Sequence, residues 1–325
     1  MDRWKTATTS MTASNKWDHF TARVGYKRMY HRVEPGLYGV GSPKSDSPVF
    51  VSASYTLSFD SLRTSLNGID CYILVLDTKG INVWCAAGKG TFGTDEIVRR
   101  VEATGLKDVV SHRTLILPQL GAPGVSAHEV KKRSGFKVEY GPVRAKDIPE
   151  YMRMGEANEE MRTVRFPLRD RAILIPVEIK NWLWLLALLP ILLFLVGGWF
   201  PALLALMTVL GGIVMFPLLL PFLPTDDFTS KGMVLGLTLA VPFSFYAIYT
   251  GAEVLIGLAS GVAIALLMVP GVAYIALNFT GCSTYASRTG VRREIFTYIP
   301  LMVGMAVTGT VLMSISIVAS YMGWA

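Results

Sequence analysis

The reactive chemistry of this 325-residue sequence is concentrated in Thr78–Thr94, TKGINVWCAAGKGTFGT. Gly88-Lys89-Gly90-Thr91-Phe92-Gly93 has the form GxGxxG ahead of a predicted helix, with Asp108 twenty residues beyond its first glycine. Such glycines cradle a dinucleotide pyrophosphate when they follow a strand directly and an acid further on takes a ribose hydroxyl. Here ten residues separate Asp77 from Gly88, and the next strand ends in Leu117-Pro118-Gln119, without an acid. A Walker-type phosphate loop fails as well, because Gly88-Lys89 is followed by Gly90 and not by Ser or Thr. What remains is the insert Asn82-Val83-Trp84-Cys85-Ala86-Ala87-Gly88-Lys89. Its residues suit one short helical turn bounded by glycines, small enough for a large flat ligand to approach the backbone. Cys85 is then either a functional thiol or a small side chain filling a gap in the packing, and the residues alone leave the two readings level.

An α/β framework is expected to hold this loop. Val49–Ser54 and Cys71–Asp77 are β-branched, apolar runs of strand length, and Ser58–Leu66 between them reads as a helix with Ser58 as N-cap. Thr94–Thr104 reads as a helix opened by Thr94 and stopped by Gly105. Thr114–Leu117 is a strand, Pro118–Val125 a loop, and Ser126-Ala-His-Glu129 a capping box that starts a helix ending at Gly135, before the strand Phe136–Tyr140. Strands and helices alternating over short links predict an open sheet with ligand loops at the strand carboxyl ends. His19, His31, His112 and His128 read as surface residues.

The rest of the chain has a different composition. Residues 181–325 contain four basic side chains (Lys231, Arg288, Arg292, Arg293) and four acidic ones (Asp226, Asp227, Glu253, Glu294), so the net charge of +7 belongs to residues 1–180. Eight charges cannot cover the surface of a soluble globule of that length. Five membrane spans are expected: two in Trp182–Pro224 joined at Gly197–Pro201, then Gly232–Tyr249, Val254–Phe279 and Tyr298–Tyr321. The basic residues before the first span, Lys231 and Arg288, Arg292 and Arg293 all fall on one side. The positive-inside rule then puts the N-terminal half in the cytoplasm and the C-terminus outside a multi-pass cell membrane protein. Met1–His31 lacks the apolar core of a signal peptide and reads as part of a flexible arm. No carboxylate–base chain sits at mid-span, which speaks against a proton-coupled transporter. Three cysteines exclude a four-cysteine iron–sulfur cluster within this sequence.

The run GINVWCAAGKGTFGTDE, preceded by CYILVLDTK and followed by LPQLGAPGVSAHEVKKRSGFKVEYGPV, resembles the corrinoid-binding domain of the mercury-methylating HgcA family. It is also similar to the corrinoid domain of the corrinoid iron–sulfur protein of the acetyl-CoA pathway. The resemblance spans roughly Gly36–Tyr151. It implies a Rossmann-like corrinoid-binding domain followed by an all-α membrane domain of five helices. The expected boundaries are a flexible arm over 1–40, the corrinoid domain over 41–160, a basic linker over 161–180 and the membrane domain over 181–325. A short region ahead of the domain and an apolar tail favour the mercury-methylating relative over the soluble one.

The resemblance also implies a site. Cys85 would ligate the cobalt of a base-off corrinoid (cobalamin or a close relative) from below; the sequence has no Asp-x-His-x-x-Gly motif for a histidine ligand. Candidates around the corrin rim are Thr56, Ser58, Asn82, Val83, Trp84, Ala86, Gly88, Lys89, Gly90, Thr91, Phe92, Gly93, Thr94 and Gln119. Gly121, Ala122 and Gly124 would allow close approach of the ring or its nucleotide tail. The implied activity is a corrinoid-dependent methyltransferase moving methyl from methyl-Co(III) to inorganic Hg(II), giving methylmercury. A ferredoxin-like iron–sulfur partner would regenerate Co(I), and methyltetrahydrofolate or its methyltransferase would supply methyl. Cys282 is a second thiol that could relay Hg(II). No nucleic-acid partner is expected. The alternative is a corrinoid methyl carrier of one-carbon metabolism.

Overall fold

A computed structural model describes residues 4–27, 30–251, 253–279 and 288–322, and divides the chain into two compact units, residues 1–165 and 166–325. In the first unit six strands form one mixed sheet: β1 (Lys5–Ala7), β2 (Gly36–Val40), β3 (Val49–Ala53), β4 (Cys71–Leu76), β5 (Thr114–Leu117) and β6 (Lys137–Tyr140). Their spatial order is β1-β2-β4-β3-β5-β6. The parallel part β4-β3-β5-β6 is extended by β2, antiparallel to β4, and by β1, parallel to β2. Helices α1 (Ala13–Arg23), α2 (Thr56–Ser65), α3 (Val83–Lys89), α4 (Thr94–Ala103), α5 (Leu106–Val109), α6 (Ala127–Ser134) and α7 (Ile148–Met154) connect or flank the strands. Because β3 and β4 are buried along their whole length, they read as continuous apolar runs and not as alternations. One core packs α3, α4 and α6 on one face (Val51, Leu74, Leu76, Phe92, Ile97, Val130), and a second packs α2 and α7 on the other (Phe50, Ile73, Phe59, Leu62, Tyr151).

Residues 1–40, expected to be a flexible arm, contribute β1, α1 and β2. The cause is polar. Arg63 and Asp60 of α2, both buried, form an ion pair, and the Arg63 guanidinium also donates to the Thr8 and Ser10 carbonyls and to Asn15 Oδ1. His19 joins Asp60 at 2.8 Å, and Asp18 accepts from Thr56 Oγ1 and lies 2.7 Å from His31 Nδ1. His31 is thus buried, and His19 largely so, contrary to their reading as surface residues.

Three expected caps also differ. The α2 helix begins at Thr56 with no side-chain cap, so Ser58 lies inside it. Gly93, not Thr94, is the N-cap of α4; the Thr94 hydroxyl instead accepts from the Ser126 amide at 2.9 Å. Ser126 makes no capping bond to α6, because its hydroxyl meets His128 Nδ1 at 3.1 Å.

The second unit is helical. Among the described residues four helices are long and apolar enough to cross a membrane: Trp199–Leu219, Phe228–Thr250, Val254–Phe279 and Thr289–Met322. The first expected span is the exception. Its helix Leu183–Gly197 has 15 residues, a rise of about 22 Å against a hydrocarbon layer of about 30 Å. Together with Leu168–Asn181, from which it is bent by 59°, it is long and apolar enough to count as a broken fifth span or a re-entrant loop. Gly232 and Gly236 let Phe228–Thr250 lie directly on Val254–Phe279: a Cβ at Gly236 would stand 2.8 Å from Val269 Cα. Charges gather at one end of the bundle. Glu294, buried, accepts from the amide and hydroxyl of Thr229, satisfying orphan donors at a helix start, and Arg293 pairs with Asp227. Glu253 lies at the opposite end of the Phe228–Thr250 helix. Cys282 falls outside the described residues.

Candidate functional site

The order of the parallel strands reverses between β3 and β5, so the loops leaving their carboxyl ends diverge and open a crevice there, the usual ligand position in such sheets. Three loops meet at it. Ser54 follows β3 and Thr78 follows β4, and the two are knotted together: the Ser54 amide donates to Thr78 Oγ1 at 3.1 Å, the Thr78 amide to Ser54 Oγ at 3.0 Å, and Thr78 Oγ1 to the Ile81 carbonyl at 2.7 Å. Both side chains are buried. The end of β4 is fixed from the other side, where the Asp77 amide donates to Glu96 Oε1 of α4. Sequence reasoning missed this knot, although a serine and a threonine closing two adjacent apolar runs was a readable signal.

From this base Lys79–Asn82 turns into α3. Lys79 and Gly80 both have positive φ (58° and 72°), and Gly80 is needed there because the Arg32 side chain lies across it, 2.8 Å from where a Cβ would be. Asn82 caps α3, accepting from the Cys85 amide at 2.9 Å. Cys85 is therefore the third helical residue, its backbone held by the cap and its side chain part-exposed. Gly90, left-handed at φ 82°, ends the helix, and the Ala86 carbonyl then accepts from the amides of Thr91 and Phe92 at 3.0 and 3.1 Å. The chain is thus folded back under its own short helix.

Burial sorts the candidate residues. Val83, Ala86, Ala87 and Phe92 belong to the sheet-facing core, with Phe92 fully buried. Ala86 and Phe92 expose no surface at all, and Val83 almost none. Trp84 and Cys85 are part-exposed, Gly88, Lys89 and Gly90 exposed. A Cβ at Gly88 or Gly90 would meet nothing within 4 Å, so that end of the helix presents a bare surface.

The loop after β5 forms a 3-10 turn, Gln119–Gly124, packed against α3. Its glycines answer to the protein itself. A Cβ at Gly121 would lie 2.5 Å from the Phe92 ring, and one at Gly124 2.3 Å from the Phe92 carbonyl and 2.9 Å from Ala87 Cα. Gly121 and Gly124, expected to admit a ligand, instead admit the α3 segment, and Gly93 likewise packs against the Gly90 carbonyl. Ala122 is half-buried in the same turn. Gln119 differs from its neighbours: its Oε1 is buried with no hydrogen-bond partner. A buried acceptor left unpaired costs about 1–3 kcal/mol. Thr56 is turned away from the crevice, its hydroxyl donating to Asp18, and Ser58 lies beyond it on α2.

The two described cysteines are unlike. Cys71 opens β4 in the core, where burial, and then the Asp70 carboxylate, push its thiol up to about 12, so it stays protonated. Cys85 stands at the crevice. Among the described residues no three His, Cys, Asp or Glu side chains gather as a metal site.

Residues 27–152 match the family model described as CO dehydrogenase/acetyl-CoA synthase delta subunit (CdhD). The chain is 34% identical over 122 residues to the acetyl-CoA decarbonylase/synthase complex subunit gamma of Methanopyrus kandleri, covering 37% of this chain and 26% of that one. The gamma subunit of Methanosarcina acetivorans is also 34% identical, over 124 residues and the same shares, and that of Methanocaldococcus jannaschii 30% over 123 residues, 37% of this chain and 25% of that one. This chain spans about a quarter of the length of these relatives. The similar stretch contains the whole crevice and ends before the apolar helices.

Proposed function

We propose that the N-terminal unit, with a core over 41–160, binds a corrinoid and that the chain is a methyl carrier of one-carbon metabolism. The observation that carries this reading is the coincidence of the stretch similar to acetyl-CoA complex subunits with a crevice whose lip is the cysteine-bearing helix α3. The residues fit such a group. Gln119 Oε1 is a buried acceptor awaiting a donor of the kind the corrin's amides provide, and the Gly88–Gly90 end of α3 is bare enough for a flat macrocycle.

A bound corrinoid would supply a cobalt centre able to take up and release a methyl group. The chain's own part is to hold and orient it. Cys85 is proposed as the residue that would hold the cobalt, a single protein sulfur kept in place because Asn82 fixes its amide. The Ser54–Thr78 knot keeps the base of α3 from shifting when ligand enters. Lys89, exposed at the end of α3, would face solvent or the ligand rim. Electrons for the cobalt would come from a ferredoxin-like partner, and methyl from methyltetrahydrofolate or its methyltransferase.

Two substitutions test the rim. Gln119→Leu removes the orphan acceptor and should leave the melting temperature unchanged or raised while weakening cobalamin binding about tenfold, the worth of one hydrogen bond. Titration of the full-length protein with hydroxocobalamin checks it, and an unchanged affinity would remove Gln119 from the site. Asn82→Ala should cost about 1 kcal/mol of stability, as for other N-caps, and also loosen the hold on cobalt, read as a mixed visible spectrum.

Methyl transfer to Hg(II) is a second reading. It is supported by the apolar helices of residues 166–325, which lie outside the stretch shared with the gamma subunits and are of the kind that the sequence resemblance to the mercury-methylating family implies. Incubating the methylated full-length protein with Hg(II) and assaying methylmercury separates the two readings: no product leaves the carrier role alone.

A further inference from the structure

The α1 helix is inverted. Its inner face, against α2, is polar: Asn15, Asp18 and His19 are fixed there by Arg63, Thr56 and Asp60. Its outer face, with the turn that follows, is aromatic and basic. Trp17 is 67% exposed and stacks on Phe20, 55% exposed, at 5.5 Å; Tyr26 and Tyr30 are 56% and 81% exposed. Lys16, Arg23 and Lys27 are exposed among them, with Lys27 Nζ 5.5 Å from the Tyr26 ring centroid. Asp18 is the single acidic residue between Ala13 and Tyr30 in the sequence, and it is engaged with His31 and Thr56. Two large aromatic side chains in water on the helix, and two more just after it, are costly where the inner face already anchors the helix without them.

We propose that this face docks on the headgroup layer of an anionic lipid bilayer. Trp and Tyr settle at the membrane–water boundary because each has an apolar body and a polar tip, and interleaved Lys and Arg meet lipid phosphates. The charge pattern selects the occupant: a cationic face with no free carboxylate complements an anionic surface. Among its described residues the same chain has four helices long and apolar enough to cross a bilayer, so such a surface is at hand. This inference stands apart from corrinoid binding and survives its failure.

The test uses the full-length protein in vesicles of phosphatidylcholine, with and without phosphatidylglycerol, carrying bromine on the acyl chains. The contribution of Trp17 is the difference in emission between wild type and Trp17→Phe. In vesicles with phosphatidylglycerol it should be blue-shifted and quenched by about half, as for a shallow interfacial indole, and the triple variant Lys16→Glu/Arg23→Glu/Lys27→Glu should lose the quenching while keeping its circular dichroism. Hydrogen exchange of Ala13–Arg23 should slow in the same vesicles only. Emission from Trp17 that ignores bromine in both vesicle types overturns the proposal, and equal quenching without phosphatidylglycerol overturns its charge argument. Protection of the helix that follows protein concentration and not lipid assigns the face to a second copy and also overturns it.

Discussion

Cys85→Ala is expected to abolish sulfur ligation of cobalt while leaving the fold intact. The side chain is part-exposed at the crevice, the capping bond from Asn82 is to the Cys85 amide, and alanine is a good helix former, so the melting temperature should be close to wild type. The visible spectrum of the cobalamin-loaded protein should change, and methyl transfer from it should fall by at least about a hundredfold, the usual scale for a lost metal ligand or its support. An unaltered spectrum would mean that Cys85 is a gap-filling residue, the other reading its sequence context permitted. Cys71→Ala gives the contrast. That thiol is buried and protonated, so its loss should cost stability in the core and leave the cobalt spectrum unchanged.

Gly124→Ala should have the largest structural effect of any methyl added near the site. The new Cβ would stand 2.3 Å from the Phe92 carbonyl and 2.9 Å from Ala87 Cα, both backbone atoms that cannot turn aside. The 3-10 turn must then separate from α3, at a cost of about 1–3 kcal/mol, and the crevice loses one wall. Thermal melting should drop by several degrees and cobalamin binding should be lost together with it. Gly88→Ala is the matched control, because a Cβ there meets nothing within 4 Å. It should melt like wild type, and any weakening of cobalamin binding then reports contact between the bare end of α3 and the ligand.

The legible parts of this protein are those with a local physical signature. Cys71–Leu76 and Val49–Ala53 are fully buried strands and appear as apolar runs, the second broken only by the small Ser52. The cap helix was legible as a short turn within Asn82–Lys89 with a glycine at its end, whereas its start is the Asn82 side chain and not a glycine. Other features depend on contacts distant in sequence. The α1 helix is held by Arg63 and Asp60, some 40 to 50 residues away, through its polar face, so its pattern resembled a solvated arm. Ser126 and Thr94 both looked like caps for their own helices, yet the Ser126 amide bonds to the Thr94 hydroxyl, a pairing of two loops that no window of sequence contains. Gly121 and Gly124 were recognisable as positions of close approach, but whether a ligand or Phe92 does the approaching depends on where α3 lies. In residues 166–325 apolar composition located the helices, whereas the 59° break before Leu183 was not written in hydropathy.

Cobalt K-edge X-ray absorption of the full-length protein loaded with methylcobalamin shows directly whether Cys85 holds the cobalt of a bound corrinoid. A sulfur scatterer in the first shell of cobalt is expected, and it should disappear in Cys85→Ala. A first shell of nitrogen, oxygen and carbon alone in the wild-type protein would contradict it.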